Sequence, residues 1–409
     1  MSSAALSDST RRRGLAGLLL YTFFMVTGFA LLMPLVATHF VNQLHLAAAA
    51  VGGALALRQL LQQGLAVFGG VLADRFGIRP MIAAGVLLRA LGFASLGFAT
   101  DIPWLLLAMT LSALGGALFE APYQAAIASL ATEQQRPRYY ALSNWISGVA
   151  GTLGPLIGVA LLRFDFFWVC SIAAACFALN FAVVLLLLPR LDAPASPPPL
   201  RRSLSRVGRD RRFLAFVALM GGYWFVAVQI NISFPLLLER LTASVDSIGV
   251  MFALSAALTV SLQYWLVDRL NRRLSPGTML AAGVALLSAG AGVTALASTF
   301  GIFLGGIALF AIGAVLSRPS QQLLIAEMAD PRALGSYLGV SSLSLAVGGS
   351  IGNVAGGWLA DPSGPGATPW LAGLVFATVG AATSLGLYRF GRRQAALRSK
   401  DTAAAGVVS

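Results

Sequence analysis

Long apolar runs dominate this 409-residue chain and decide the solvent in which it can fold. Its residues are 57% hydrophobic and only 11% charged, with mean hydropathy +0.80. A soluble domain carries about 25% charged residues. Most of the runs reach the roughly 18–25 residues needed to cross a bilayer core of about 30 Å. Twelve are read in all. The first half holds Gly14–Ala37, Ala47–Leu72, Pro80–Ala99, Ile102–Ile127, Tyr139–Leu162 and Phe166–Leu188. The second holds Phe213–Leu238, Ser244–Leu266, Gly277–Ala297, Phe300–Ala326, Leu334–Trp358 and Trp370–Phe390. The expected fold class is an all-α membrane protein of twelve transmembrane helices.

The net charge of +13 invites a nucleic-acid partner, but the placement of the charge argues against one. With loops assigned alternately to two sides, about 23 of the 28 Lys+Arg fall on one side. That side includes Arg11, Arg12, Arg13, the 190–212 stretch and the tail from Arg389. The other side has Arg163 and Arg240. This bias is the positive-inside pattern and sets both termini in the cytoplasm. The first apolar run exceeds signal-peptide length and lacks a convincing cleavage site, so it reads as an uncleaved first helix. Cys170 and Cys176, both in the sixth span, read as buried thiols.

The chain is a tandem duplication. Asp74-Arg75 returns as Asp268-Arg269 at an offset of 194, and Pro34-Leu35 as Pro235-Leu236 at 201. Pro122 and Gln124 return as Pro319 and Gln321 at 197. Gly151, Gly154 and Gly158 return as Gly349, Gly352 and Gly356 at 198. Near-constant offsets at four separate places identify an internal repeat. Six spans per half give the repeats the same orientation, related by a pseudo-twofold axis along the membrane normal. The expected organisation is a tail (1–13), a six-helix bundle (14–189), a basic linker (190–212), a second bundle (213–390) and a second tail (391–409). The linker opens with a Pro- and Ser-rich stretch. Its Leu200–Arg212 portion reads either as an amphipathic helix on an anionic leaflet or as a solvated topological anchor.

Gly70, Asp74, Arg75, Gly77 and Arg79 form a segment that resembles the loop-2/3 signature of the major facilitator superfamily. Gly148, Gly151, Gly154, Pro155 and Gly158 resemble that superfamily's antiporter signature. The stretches Leu57–Gly64, Leu88–Ala94 and Gly335–Gly339 are similar to the MdtH-type multidrug transporters of the bacterial inner membrane. The resemblance implies alternating access, drug:proton antiport without a cofactor, and a monomer. It also implies that the Asp74-Arg75 loop locks the cytoplasmic ends and that the span-five glycines seal the periplasmic leak path. Many drug–proton antiporters have an acid in span one. Here that stretch is Tyr21-Thr22-Phe23.

Polar residues within the spans are the candidate chemistry, because they are costly in lipid. Glu120 is the one carboxylate well inside a span, about 10 Å from its end. It reads either as a proton acceptor or as half of a fixed ion pair with Arg75 or Arg89. Arg58, Gln59, Gln62 and Gln63 make a polar stripe at i, i+4 spacing that should line a cavity or pack on a partner helix. Asn144, Trp145, Tyr223, Trp224, Gln229, Asn231 and Gln321 are candidate cavity groups. Arg318, at offset 198 from Glu120, is a candidate basic counterpart in the second half. Asp74, Arg75 and Arg79 with Glu133, and Asp268 and Arg269 with Glu327, are read as a cytoplasmic gate. His39 and His45 lie in a short periplasmic loop with no metal-ligand set around them, and no nucleotide-binding loop or nucleophile constellation points to an enzyme. The expected function is proton-driven export of small amphipathic molecules. The alternatives are export of one metabolite, a sugar or amino acid, and a non-transporting sensor or scaffold.

Overall fold

The computed structural model describes residues 7–132, 135–190, 205, 207–271, 273–329, 334–361 and 369–406. Helix is what such apolar segments must form, since it satisfies every backbone N–H and C=O within one segment. The first half forms α1 (Asp8–Thr38, prolonged by a π-turn, His39–Gln43), α2 (Ala48–Phe76), α3 (Ile78–Leu96), α4 (Ile102–Leu130), α5 (Arg136–Leu162) and α6 (Phe166–Leu187). The second forms α7 (Arg211–Ala227), α8 (Ser233–Thr242), α9 (Asp246–Asn271), α10 (Pro276–Ala295), α11 (Phe300–Met328), α12 (Leu334–Ser344), α13 (Ser350–Leu359) and α14 (Pro369–Gly406). A 3₁₀ turn, Val228–Asn231, joins α7 to α8, and a π-turn, Leu345–Gly349, lies between α12 and α13. The seventh and eleventh spans are therefore interrupted helices.

Ten helical segments among the described residues are long and apolar enough to cross a membrane. α2 and α9, of 29 and 26 residues, occupy the second and eighth expected segments. Helix ends depart from the expected spans in places. α1 starts at Asp8 behind a Ser7 cap, and α7 starts at Arg211 because Asp210 accepts from the N–H groups of Arg212 and Phe213. His39 sits in the π-turn of span one and not in a loop. Its ring stacks on Phe166 with centroids 3.9 Å apart, and Nδ1 lies 2.6 Å from Gln43 Oε1. Of the linker, residues 191–204 and 206 lie outside the described residues.

The chain divides into two compact units, Met1–Pro197 with Ala243–Ala253, and Pro198–Thr242 with Leu254–Ser409. In the first, α1 packs on α5 and α6, α3 packs on α4 and α6, and α2 packs on α4. In the second, α7 packs on α12, α13 and α14, and α10 packs on α11 and α14. Four of these pairings correspond between the units, as a duplication requires: α1–α5 with α7–α12/α13, α1–α6 with α7–α14, α3–α4 with α10–α11 and α3–α6 with α10–α14. An α9–α11 counterpart of α2–α4 is not among the described contacts. α3 and α10 begin at 78 and 276, and α4 and α11 at 102 and 300, an offset of 198 both times. Even the caps correspond: Asp101 accepts from Trp104 N–H at 2.8 Å and Thr299 from Ile302 N–H at 3.3 Å.

The span-five glycines divide by task. A methyl group on Gly158 would run into the Leu31 carbonyl of α1, and one on Gly154 would come within 2.7 Å of Ala30 Cβ. Gly148 has open space at that position, and Gly151 meets only Val26 at 3.9 Å. Pro155 lies inside α5, between the two tight contacts. Close backbone approach through small residues is how membrane helices gain packing without a hydrophobic drive. Gly158→Ala should therefore destabilise the first unit by about 1–3 kcal/mol through overpacking. Gly148→Ala should be neutral or stabilising by up to about 1 kcal/mol from helix propensity. Thermal unfolding in detergent measures both, and equal effects would contradict the assignment.

Candidate functional site

Three adjoining helices of the first unit bring Arg58, Gln62, Arg89 and Glu120 together, and the amide of Gln62 is the hub. Gln62 Oε1 accepts from Arg58 Nη1 at 3.0 Å and from Arg89 Nη2, while Gln62 Nε2 donates to Glu120 Oε2 at 3.3 Å. Arg58 Nη2 also reaches Gln59 Oε1 at 3.4 Å. Arg89 Nε donates to the Ser112 carbonyl at 3.1 Å. The spacing predicted from sequence explains half of this. Residues 58 and 62 stack one turn apart on α2, so the guanidinium of the first lies over the amide of the second. The expected ion pair of Glu120 with Arg75 or Arg89 is not among the described contacts of Glu120. The carboxylate reaches both Arg58 and Arg89 through the amide of Gln62.

Aromatic rings complete the surroundings. The Arg89 guanidinium lies 4.9 Å from the Phe119 ring centroid, 5.6 Å from Phe177, 5.8 Å from Phe29 and 6.0 Å from Phe93. Arg58 lies 5.3 Å from Phe29. Such faces carry negative quadrupole charge and offset part of the desolvation of a cation. Both arginines are buried, whereas Gln62 and Glu120 are half-buried, so the network is open on the carboxylate side. Arg58 Nε has no hydrogen-bond partner among the described residues. Span one adds hydroxyls in its Tyr21-Thr22-Phe23 stretch. Thr22 Oγ1 lies 2.6 Å from the Tyr123 hydroxyl and 3.5 Å from Ser143 Oγ, and Tyr21 stacks on Tyr123 at 5.0 Å.

Gly116, absent from the sequence expectations, makes the network possible. A Cβ there would meet Arg89 Nη2, and would stand 2.7 Å from Gln62 Cδ. The duplicate supplies a control. At offset 198, Arg89 corresponds to Leu287, Gly115 to Gly313 and Gly116 to Ala314. Gly115 and Gly313 both bring their helices against the backbone of the neighbouring span, so both copies retain glycine. The second glycine is missing where the charged network is missing. A glycine one turn before an acid inside a span is the available signal.

The remaining candidates part company. Gln63 and Gln59 are buried beside the network, and Trp145 is 67% exposed. Gln229 is a helix–helix tie and not a cavity group. Its Nε2 donates to the carbonyls of Phe225 (2.7 Å) and Gly352 (2.9 Å), and its Oε1 accepts from the Ser233 hydroxyl at 2.6 Å. The 3₁₀ break of span seven leaves backbone groups to be satisfied there, and the amide does so. Asn231 and Trp224 are half-buried, and Trp224 meets the buried Tyr223 edge-on at 5.0 Å. Arg318 is exposed and is the charged neighbour of Tyr223, with Gln321 half-buried one turn on.

At the ends of α2 and α3 the gate expectations are partly redirected. Arg75 is exposed, with its guanidinium 5.5 Å from the Phe76 ring. Arg79 donates to the Leu185 carbonyl at the end of α6, and Arg13 donates to the adjacent Leu186 carbonyl at 2.7 Å. Two cations therefore satisfy carbonyls that the end of α6 leaves open, where the helix dipole favours positive charge. Gly77 ends α2 at φ +93° and ψ 152°, a conformation almost confined to glycine. Gly70 lies within α2. Arg269 and Glu327 are exposed. Glu133 and the side chains of Asp74, Asn144 and Asp268 lie outside the described residues.

A duplicated all-helical membrane bundle with a charged network inside one copy is the setting for the comparisons. The family model described as Major Facilitator Superfamily matches residues 18–275 and again 224–407. The chain belongs to the major facilitator superfamily. A protein of Aeromonas hydrophila described as multidrug resistance protein MdtH is 38% identical over 390 residues, covering 95% of this chain and 98% of that one. The protein so described in Yersinia pestis is 39% identical over 392 residues, covering 95% and 98%. Among solved structures, the POT family transporter PepTSo superposes with TM-score 0.78 at 13% identity, over 93% of this chain and 98% of that one. A mutant of the nucleoside transporter NupG superposes with TM-score 0.74 at 14% identity, over 92% and 99%. At such identities the structural likeness establishes the major-facilitator fold. The protein is thus a multi-pass membrane transporter of that superfamily.

Two substitutions test the network. Gln62→Leu leaves Arg58, Arg89 and Glu120 without their common partner, and Gly116→Ala forces the same groups apart. Each should lower stability by about 1–3 kcal/mol, the cost of leaving buried polar groups unsatisfied. Ala314→Gly, at the equivalent place in the second unit, should cost no more than about 1 kcal/mol of helix propensity. Melting curves that rank Ala314→Gly with the other two would contradict the network.

Proposed function

We propose that this transporter exports small amphipathic drugs from the bacterial cytoplasm by alternating access, in exchange for protons moving inward. The reading places the chain in the inner membrane as a monomer with both termini cytoplasmic. The Glu120–Gln62–Arg58/Arg89 network is the observation that carries it, supported by the MdtH description shared by relatives that match nearly the whole chain.

The chemistry of the amide makes the coupling concrete. Ionised, Glu120 accepts the N–H of Gln62, whose oxygen is taken up by two guanidiniums. A proton arriving on Glu120 turns an acceptor into a donor. The carbonyl oxygen of the acid can still accept from Gln62. Yet the negative charge that offsets two guanidiniums is gone, and the new O–H needs an acceptor. When it turns to the Gln62 oxygen, one arginine lets go. Loss of the proton restores the ionised arrangement. Protonation thus changes which helices of α2, α3 and α4 are tied together. A bistable tie of this sort is what alternating access needs. Asp74 and Arg75 with their echo Asp268 and Arg269, Glu133 and Glu327 are assigned to the cytoplasmic gate. The half-buried Gln62 side, Trp145, Trp224, Asn231 and Gln321 are assigned to the drug path.

Two guanidiniums serve a single carboxylate, and this surplus favours a second reading, in which the cargo is one carboxylate-bearing metabolite such as an amino acid. Proton release separates coupling from its absence. In weakly buffered detergent, adding a transported drug to wild type should release protons, and Glu120→Gln should bind the drug and release none. Binding without release in wild type would end the coupling proposal. Saturation by one metabolite, with no response to any drug, would favour the second reading.

A further inference from the structure

A groove in the second unit has the shape and charge of a lipid site. It runs along α7 and α14, has a volume of about 690 Å³, and is floored by small residues including Ala218, Gly222 and Ala382. Arg389 and Arg393, one turn apart on α14, stand at one end. Arg211 lies one turn before the lining residue Ala215 on the same face of α7, so a third guanidinium is carried to that end. All three arginines are exposed. Among the described residues, no carboxylate lines the groove. The acid at the start of α7, Asp210, is engaged by the N–H groups of Arg212 and Phe213 and by the Tyr337 hydroxyl at 3.0 Å. Arg392 points elsewhere, 6.0 Å from the Tyr388 ring.

The groove is therefore cationic at one end and apolar along its length. From Arg393 to Ala382 is eleven residues, about 16 Å of helix. That is close to half of the roughly 30 Å hydrocarbon thickness, the depth of one leaflet. A molecule that fits must be an amphiphile standing along the helices, its negative group at the arginines and its chain against the small residues. Gly386, which meets Leu219 where a Cβ would stand, keeps the two helices close enough to form a floor. We infer that this groove binds one anionic phospholipid, with the phosphate held by Arg389, Arg393 and Arg211 and an acyl chain lying between α7 and α14. On the orientation proposed above, the headgroup belongs to the cytoplasmic leaflet, which carries the anionic lipid that attracts basic residues.

Native mass spectrometry of the full-length protein, titrated with phosphatidylglycerol or with phosphatidylcholine of the same acyl chains, tests the site. Wild type should retain one phosphatidylglycerol at least tenfold more tightly than phosphatidylcholine. Arg389→Gln with Arg393→Gln should lose that preference, and Ala382→Phe, which fills the groove and leaves the charge, should lose binding of both lipids. The charge-matched control, Arg12→Gln with Arg273→Gln, should keep the wild-type preference. Thermal midpoints without added lipid show that each variant is folded. Equal retention of the two lipids by wild type, an equal loss in the control, or unchanged binding in Ala382→Phe would overturn the site. A second copy of the chain in the groove would appear as a dimer that lipid does not displace, and would overturn it too. None of these outcomes bears on drug export, so the two proposals fail separately.

Discussion

The amide of Gln62 holds two guanidiniums and one carboxylate together inside a helical bundle. Charge taken out of water must be compensated locally, and truncating one partner leaves the rest expensive. Several otherwise unrelated features of the first unit follow. Gly116 is bare because the amide and a guanidinium occupy the place of its side chain. Phe29, Phe93, Phe119 and Phe177 gather around Arg89 because ring faces are the available acceptors in an apolar layer. The Ser112 carbonyl gives one of its lone pairs to the same arginine.

Among the described residues the duplicate has no such network and keeps one charge at the equivalent places, the exposed Arg318 at the Glu120 position. Leu287 replaces Arg89, Ala314 replaces Gly116, and the polar work of the second unit moves to the break in span seven, where Gln229 donates to the Gly352 carbonyl and the Ser233 hydroxyl is shared between Gln229 Oε1 and the Gly356 carbonyl. A fixed amide tie in one copy and a carboxylate-bearing one in the other is the division that the proposed proton coupling calls for, with one half sensing the proton. The α3–α4 pairing and its copy α10–α11 survived the divergence because they rest on glycine contacts common to both, those of Gly115 and Gly313.

Much of this is legible in the sequence because it follows from one-dimensional signals. Apolar run length marks the spans, and constant offsets mark the duplication down to helix starts at 102 and 300. The i, i+4 stripe puts Arg58 and Gln62 on one face. Less legible is anything settled by a third dimension. Nothing in the order of residues says that Gln62, among four neighbouring polar residues, is the one that bridges α3 and α4. Nor does it say that Arg79 is spent on the end of α6, since orphan carbonyls are a property of the helix end and carry no residue type. Gln229 reads as a cavity group because an amide in a span looks the same whether it faces a ligand or a broken backbone.

Proton flow through Glu120 is the step proposed to drive export, and transport in reconstituted vesicles reads that step out on its own. With an imposed proton gradient, labelled drug should move uphill against its own gradient, stop when a protonophore collapses the proton gradient, and only equilibrate downhill in Glu120→Gln. Uphill movement that persists in Glu120→Gln, or wild-type movement that never exceeds equilibration, would contradict the account.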